Sequence, residues 1–363
     1  MSVAENTADL SVVMAYHQRR RLIMLCLAVG LVVAFLLSVG VGAVPISPGQ
    51  ILAILAEPSG LDLPWGYSQR EETVLFAIRL PRACLGILTG AALAVAGAAL
   101  QGLFRNPLAD PALIGVSTGA ALGAALVIVL GAGVSVTIFA PVAPYLLPIA
   151  AFMGGLIATL IVYKVANCAG HTDVATMLLA GVALNAIAGA GIGLLVFIST
   201  DQQLRDLDFW LLGSLGGVTW GRLLPAAPFI FIAIVGLPFM GRHLNAMLLG
   251  EREAQHLGFN VERTKQLIVV LVALAVGAAV ALTGVIGFVG LMVPHLVRLT
   301  MGPDHRMLMP ASILLGAALL LIADLAARTI VLPAELPIGI LTSCVGGPFF
   351  LWLLMRRRAD GGW

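Results

Sequence analysis

The sequence predicts an all-α membrane protein that crosses the bilayer many times, and three observations support this fold class. Of its 363 residues, 60% are hydrophobic and only 10% are charged, whereas about 25% of the residues in ordinary soluble domains are charged. The mean hydropathy is +1.05. Apolar runs recur along nearly the whole chain, and a helix of about 20 such residues is long enough to cross a bilayer.

Ten apolar runs are predicted to cross the membrane as helices. The first follows the arginines at 19–21 and is longer than the apolar core of a signal peptide, about 7–15 residues, so we expect it to stay uncleaved. The polar, proline-containing stretch Pro45–Ile78 is expected to face outward as a connection. The spans are Leu22–Gly42, Arg82–Leu103, Ala112–Gly131, Pro144–Val165, Ala175–Ile198, Leu223–Met240, two within Leu267–Val297, Leu308–Ala326 and Pro337–Leu354.

The run Leu267–Val297 is divided into two spans because of its length. It contains no Lys, Arg, Asp or Glu over 31 residues, which is more than one crossing of about 20 residues needs. Thr283-Gly284 and Gly287 offer a place for the chain to turn. We therefore expect a very tight outer connection at these residues.

The distribution of basic residues predicts the orientation. The arginines at 19–21 and 356–358 both favour the cytoplasm, which requires an even number of crossings. Ten crossings place fourteen of the twenty Lys and Arg residues inside. Segments 1–21 and 356–363 are then cytoplasmic tails on a permease domain of residues 22–355. The six basic residues left outside are Arg70, Arg79, Arg82, Arg205, Arg222 and Arg328.

The polar segment Leu249–Lys265 separates two apolar runs and must lie outside the hydrocarbon, because each charge would cost about 3 kcal/mol at a bilayer centre. Ala254, Leu257 and Val261 recur at helical spacing, and Gly250 and Gly258 can end a helix. A short amphipathic helix of this kind is suited to being gripped by a partner protein. The alternative is a solvated connecting loop.

Small residues recur every four positions in two spans. One row is Gly115, Gly119 and Gly123, and the other is Gly181, Asn185, Gly189 and Gly193. Such rows allow helices to pack closely. Alternatively, one row lines a wide pathway, and Asn185 makes the second row the better candidate because it is the only polar member.

Several absences narrow the function. The chain has no GxxxxGK[ST] phosphate loop, so we expect no nucleotide hydrolysis by that route and no enzymatic activity of its own. The spans lack the carboxylate and histidine chains of proton-driven carriers, and Asp324 and Arg328, at i and i+4, are predicted to form a local salt bridge. The four cysteines show no ligand-like spacing. The energy is thus expected from another subunit, with an ion-coupled secondary transporter as the alternative and a passive channel disfavoured.

Five motifs in order carry a family resemblance: Arg79-Leu-Pro-Arg82, the segments at 105–120, 249–258 and 283–298, and Pro333-Ala-Glu-Leu-Pro-Ile-Gly339. The chain resembles the FecCD-type permeases of ABC importers for ferric siderophores, haem and cobalamin. The resemblance implies a type II ABC importer permease with ten spans per subunit, in the bacterial inner membrane with both termini cytoplasmic. It also implies a homodimer around a central pathway, two cytoplasmic ATPase subunits that hold ATP and Mg, and a periplasmic binding protein. No cofactor in this chain and no nucleic-acid partner are expected.

The resemblance also implies roles for single residues. Gly250, Ala254, Leu257 and Gly258 match the coupling helix that contacts the ATPase. Arg79, Arg82 and Arg328 match external arginines that receive acidic residues of the binding protein, and Arg79 and Arg82 alone would otherwise be read as interfacial anchors. Asn185, with Gly181 and Gly189, and Arg205 are the candidates for the translocation pathway.

Within the family, the segment Asp201–Trp220 is most similar to the haem branch. Arg205 is predicted to pair with a haem propionate at the outer mouth, because a guanidinium binds a carboxylate through two hydrogen bonds. A local pair with Asp201 or Asp208 is the alternative. Haem is therefore the expected cargo, with a ferric siderophore or cobalamin as alternatives.

Overall fold

Helices account for nearly all regular structure in the part of the chain described by the computed structural model, residues 3–131, 143–168, 170–331 and 333–359. A two-stranded hairpin pairs Asn167–Cys168 with His171–Thr172. The helices are α1 (Val3–Gly40), α2 (Pro48–Ala56), α3 (Gln69–Thr73), α4 (Leu80–Leu103), α5 (Val116–Leu130), α6 (Ala143–Ala166), α7 (Val174–Ile198), α8 (Asp201–Leu212), α9 (Trp220–Phe239), α10 (Gly241–Met247), α11 (Glu251–His256), α12 (Val261–Thr283), α13 (Val289–Met301), α14 (His305–Ala327) and α15 (Ile338–Ala359).

The described helices confirm the predicted fold class. Seven helical segments are long and apolar enough to cross a membrane: Gln18–Gly40 of α1, Gln69–Leu103, α6, α7, α9, α12 and α14. Three shorter apolar helices are α5, α13 and Ile338–Leu353 of α15. Each of the ten predicted spans lies on one of these ten segments. Residues 1–2 and 360–363 of the predicted tails lie outside the described residues.

The predicted break within Leu267–Val297 is confirmed. Helix α12 ends at Thr283 and α13 begins at Val289. Gly284 turns the chain with a φ of 70°, and Phe288 adopts a φ of 67°. Positive φ is uncommon for a residue that has a Cβ atom, so this turn is held by its surroundings as well as by its own sequence.

The connection between the first two spans is more helical than predicted. Within Pro45–Ile78, α2 forms first, and the second span begins at Gln69 through α3 and a π-helical segment, Val74–Arg79. Ser68 starts it with a capping box, because its hydroxyl accepts from the Glu71 amide while the Glu71 carboxylate accepts from the Ser68 amide. Polar residues therefore form a helix start within a stretch that was predicted only to face outward.

Helix α4 lies at the centre of the bundle and packs against α9, α12, α13 and α14. Glycines on α4 allow this close approach. A Cβ atom at Gly97 would overlap the carbonyl oxygen of Gly290 on α13, and one at Gly90 would overlap the carbonyl oxygen of Gly316 on α14. A Cβ atom at Gly316 would in turn overlap the carbonyl oxygen of Gly90. Helices that meet across glycine gain van der Waals contact that larger side chains would prevent.

The glycine row of α5 serves helix packing. A Cβ atom at Gly119 would overlap Ala158 Cβ and the Gly154 carbonyl oxygen on α6, and one at Gly123 would overlap the Ala150 carbonyl oxygen. The packing interpretation is therefore correct for Gly119 and Gly123, while Gly115, the first member of the row, precedes α5 with a φ of 80°.

The two ends of the bundle carry different short elements. One end, called the α2 end, carries α2, α3 and α8. The opposite end, called the α11 end, carries α10, α11 and the 167–172 hairpin. The candidate functional residues lie at these ends and along α7.

Replacing Gly119 with alanine is expected to destabilise the protein by about 1–3 kcal/mol, because the added methyl group meets backbone and a Cβ atom that cannot move independently. Gly30→Ala is the matched control, since Gly30 has no neighbouring atom within 4 Å of an added Cβ. It should leave stability unchanged or raise it by up to about 1 kcal/mol. Thermal unfolding in detergent checks this, and equal melting temperatures for the two variants would contradict it.

Candidate functional site

Two arginines at the α2 end cap the end of α1. Arg79 donates from Nη1 to the carbonyl oxygens of Val39 and Gly40, at 2.6 and 2.8 Å, and from Nη2 to that of Val44. Arg328 donates from Nη2 to the Ser38 carbonyl oxygen. The last carbonyls of a helix lack partners within the helix, and cations are favourable there. These arginines thus hold the end of the first span in place.

The third arginine joins three parts of the chain. Arg82 on α4 donates from Nε and Nη2 to Asp324 on α14, at 2.9–3.1 Å, and from Nη1 to Glu335 before α15, at 2.9 Å. The Asp324 side chain is 2% exposed and that of Glu335 is 48% exposed. The predicted pair of Asp324 with Arg328 is present at 3.6 Å, but Arg82 is the closer partner.

The docking role of Arg79, Arg82 and Arg328 stays a prediction, but its expected geometry is wrong. All three guanidinium groups are largely buried and are bound within the chain, whereas docking on a surface rim or anchoring at an interface needs accessible side chains. The guanidinium groups already donate hydrogen bonds to the carbonyls at the end of α1 and to the carboxylate of Asp324. Asp324 was the signal in the sequence for this arrangement, because a carboxylate within a predicted span needs a nearby cation.

The predicted pathway row on α7 does not share one face. Gly181 is buried, and a Cβ atom there would overlap the Leu113 carbonyl oxygen. Asn185 donates to the Ala112 carbonyl oxygen at 3.1 Å, while its own buried Oδ1 has no hydrogen-bond partner among the described residues. Gly189 is exposed, with no atom within 4 Å of an added Cβ. Positions four apart drift by about 40° around a helix of 3.6 residues per turn, which separates the two ends of the row.

The open face of α7 carries small side chains. Gly189 and Gly193 have free space beside them. The exposed positions around them include three alanines, Ala183, Ala186 and Ala190, and two larger residues, Val182 and Phe197. The two glycines and three alanines are called the α7 open face. None of these five residues is charged.

Helix α8 lies beside α5 at the α2 end and carries Arg205. Its start is held by Thr200 and Gln203, and the Gln203 side chain also donates to the Val129 carbonyl oxygen at 3.0 Å. Arg205 is exposed and donates to Gln202 Oε1 at 3.0 Å. The alternative pairing of Arg205 with Asp201 or Asp208 is not seen among the ion pairs of the described residues. Its guanidinium is thus available for an anionic ligand.

The segment Leu249–Lys265 is not one helix. Helix α11 covers Glu251–His256, and its flanking glycines, Gly250 and Gly258, have φ values of 128° and 88°. Both glycines therefore bound the helix as predicted, since such φ values favour glycine.

The prediction that Ala254, Leu257 and Val261 share one docking face is wrong. Ala254 is 0% exposed and Val261 is 1% exposed, and both pack in the core of the chain, whereas Leu257 is 61% exposed. Leu257 lies beyond the last residue of α11, where the turn at Gly258 ends the helical repeat. Three exposed leucines that flank α11, Leu248, Leu249 and Leu257, are called the α11 patch.

A lysine with no role predicted from the sequence lies beneath α11. Lys265, in the first turns of α12, is 1% exposed. Its Nζ donates to the Thr172 carbonyl oxygen at 2.7 Å, to Glu251 Oε2 at 2.7 Å and to Glu262 Oε1 at 3.3 Å. The sequence did contain a signal for one of these contacts, because Glu262 and Lys265 are three residues apart, a spacing that allows an ion pair on a helix.

The hairpin partner of Lys265 leads directly into α7. The Thr172 amide donates to Glu262 Oε2 at 3.0 Å, and the next residue, Asp173, caps α7. The hydroxyl of Thr176, followed by its amide, holds the pKa of Asp173 below its ordinary value, and the charge of Lys265 adds to this. The start of α7 is therefore firmly attached at the α11 end.

Comparisons with known proteins agree along most of the chain. The FecCD transport family matches residues 30–356. The chain is 50% identical over 282 residues to the Hemin transport system permease protein HmuU of Yersinia pestis, covering 77% of this chain and 83% of that relative. It is 44% identical over 296 residues to the Cobalamin import system permease protein BtuC of Halobacterium salinarum, covering 82% and 77%. It is 39% identical over 350 residues to the Vitamin B12 import system permease protein BtuC of Escherichia coli, covering 95% and 99%.

A solved structure shows the same fold. It is described as an inward-facing conformation of a metal-chelate type ABC transporter, and it matches with a TM-score of 0.79 at 31% identity. The match covers 92% of this chain and 99% of the other.

Breaking the Arg82–Asp324 pair is expected to cost about 3–5 kcal/mol, because Arg82→Gln leaves a buried carboxylate without its closest cation. Arg82→Gln combined with Asp324→Asn should recover part of that loss, since the unpaired charge is gone. Arg70→Gln is the control, as Arg70 is an exposed arginine at the same end. Thermal unfolding of the wild type, Arg82→Gln, Asp324→Asn, the double variant and the control measures the effect. A double variant whose loss of stability equals or exceeds the summed losses of the two single variants would disprove the pairing.

Proposed function

This chain belongs to the FecCD transport family of ABC importer permeases, and from that premise we propose that it carries haem inward across the bacterial inner membrane. The observation that supports this cargo is the 50% identity to a hemin permease over most of the chain. Cobalamin is the second candidate, because relatives named for cobalamin import are 44% and 39% identical. Ferric siderophores stay the third candidate on the resemblance alone. All three are bulky complexes, in keeping with the part of the chain that the structure describes, where no group of three or more His, Cys, Asp or Glu side chains could hold a bare metal ion.

The energy comes from two separate ATPase subunits that hold ATP and Mg. The sequence has no phosphate-binding loop of its own. The α11 patch supplies the contact, because three exposed leucines at the end of a soluble connection would otherwise face water. Neighbouring exposed polar residues at 252, 253 and 256 set the orientation of the partner and the rate of association. This contact places the α11 end and both termini in the cytoplasm.

A second copy of the chain completes the transport path. The α7 open face lies along one wall of that path, since its small residues leave room for a macrocycle and hold none of its groups tightly. Closure of the ATPase subunits on ATP moves the α11 end, and the two copies alternate between outward-open and inward-open states.

A periplasmic binding protein delivers the cargo at the α2 end. We propose that its acidic residues approach the arginine cluster and displace Glu335 from Arg82. Glu335 is the half-exposed partner in this cluster, so its carboxylate is the one that another carboxylate can replace without unpacking the bundle. Arg79 and Arg328 contribute positive potential while they stay bound to the end of α1.

Arg205 meets the cargo at the outer mouth. One exposed guanidinium attracts a propionate through a charge-assisted pair, and in water that pair is weak enough to release it. Iron ligation by a histidine would hold the cargo and slow its passage.

Leu257→Asp is expected to abolish retention of the ATPase subunits, because it places a charge within the α11 patch. Leu61→Asp is the matched control, since Leu61 is 62% exposed and lies in the connection between α2 and α3, at the α2 end. Both variants should insert into the membrane at normal levels. Copurification of the tagged permease with its ATPase measures the effect. Normal retention and normal uptake by Leu257→Asp would refute the proposed contact.

Uptake by proteoliposomes that contain the ATPase and the binding protein tests the cargo. Haem should accumulate in preference to a ferric siderophore or cobalamin, and only with ATP. Arg205→Ala should slow haem uptake several-fold at low carrier concentration, and Arg205→Lys should recover part of it, because lysine keeps the charge without the planar fork.

Arg70→Ala, at the same end, should transport haem normally. A wild-type protein that moves cobalamin or a siderophore but not haem would overturn the cargo assignment. Uptake without ATPase subunits, driven by an ion gradient, would support a secondary transporter instead.

A further inference from the structure

One buried ammonium group joins three separate elements at the α11 end. Lys265 on α12 contacts Glu251, the first residue of α11, and Thr172, the last residue of the hairpin before α7. Its third partner is Glu262 on its own helix. An ammonium group has three hydrogen atoms to donate, so these three contacts use its full capacity.

The burial of Lys265 makes this arrangement specific. Lysine is rarely fully buried unless it is paired, and here two carboxylates contact the ammonium of a residue that is 1% exposed. Such a charge-assisted contact weakens steeply when its geometry changes, because no water replaces a lost partner in the interior. Glu251 therefore cannot move away from Thr172 without a large cost.

The hairpin has a second attachment that does not involve Lys265. The Thr172 amide donates to Glu262 Oε2 on α12, and the Asn167 side chain donates to the Thr172 hydroxyl at 3.1 Å. Loss of Lys265 would thus leave the hairpin on α12 and α7 in the bundle. What it would remove is the link from the hairpin to α11.

We infer that Lys265 is a positioning residue that transmits the displacement of α11 to α7, the helix that carries the open face of the path. This inference rests on the proposed contact between the α11 patch and the ATPase. When the ATPase moves α11, Glu251 moves with it, and the shared ammonium moves the hairpin and the start of α7. Lys265 itself touches neither the ATPase nor the cargo.

The test uses Lys265→Met in the complete importer, with ATPase subunits and binding protein in proteoliposomes. The quantity measured is the amount of cargo transported per ATP hydrolysed. It should fall by about tenfold, within the range typical of coupling between two sites. ATPase copurification should persist, because the α11 patch is unchanged. Lys164→Met is the matched control, since Lys164 is the only other lysine in the chain and is exposed on α6.

Glu251→Gln tests the same link by changing the acceptor on α11. The Glu251 side chain is 35% exposed, so this variant is expected to fold even if Lys265→Met does not. It should reduce cargo transported per ATP, and the double variant should behave like Lys265→Met alone, because both changes break one link. A role confined to stability would lower the melting temperature and leave this ratio unchanged.

The outcomes separate this inference from the proposed function. A normal transport ratio in Lys265→Met and Glu251→Gln, with the ATPase retained, overturns the inference and leaves the α11 contact standing. Loss of ATPase retention in Lys265→Met also overturns it, because Lys265 would then shape α11 for binding. Normal retention in Leu257→Asp overturns the α11 contact itself.

Discussion

Close approach of helix backbones across small residues is the interaction on which this bundle depends. Lipid tails are as apolar as the side chains of a membrane helix, so the hydrophobic effect does not drive such helices together. They associate mainly through close van der Waals packing. Helix α4 meets its neighbours at Gly90 and Gly97, and α5 meets α6 at Gly119 and Gly123. The bundle itself is therefore held by apolar contacts. The polar clusters lie at its two ends, where they join short elements to the long helices.

The sequence predicted the spans well because they depend on local composition. The break after Thr283 was also readable, since glycine there follows an apolar run too long for one crossing. The partners of Arg82 could not be predicted, because Asp324 is 242 residues away along the sequence and only the folded bundle brings the two together. The sides of Ala254 and Leu257 were misjudged because α11 ends at His256, between them, so that the helical repeat does not extend to Leu257.

The polar clusters at the two ends differ in how exposed their acidic partners are. At the α2 end, Arg82 has one carboxylate that is buried and one, Glu335, that is half exposed. At the α11 end, Lys265 has two partly exposed carboxylates and one backbone oxygen. Glu335 can leave Arg82 for another partner because the buried Asp324 still neutralises that arginine, whereas a carboxylate that leaves Lys265 would leave a buried ammonium short of an acceptor. The cluster at the α2 end can therefore exchange one partner, whereas the cluster around Lys265 keeps its contacts.

The reciprocal contact of Gly90 and Gly316 has a consequence for how this sequence can evolve. Many harmful substitutions are rescued by a second change at the neighbouring position, usually a larger residue matched by a smaller one. Here each glycine already faces the backbone of the other, and neither position has a smaller residue to accept. Compensation at this crossing must then come from a shift of a whole helix, which alters many positions together. We therefore expect these two positions to accept fewer substitutions than the connections at the two ends of the bundle.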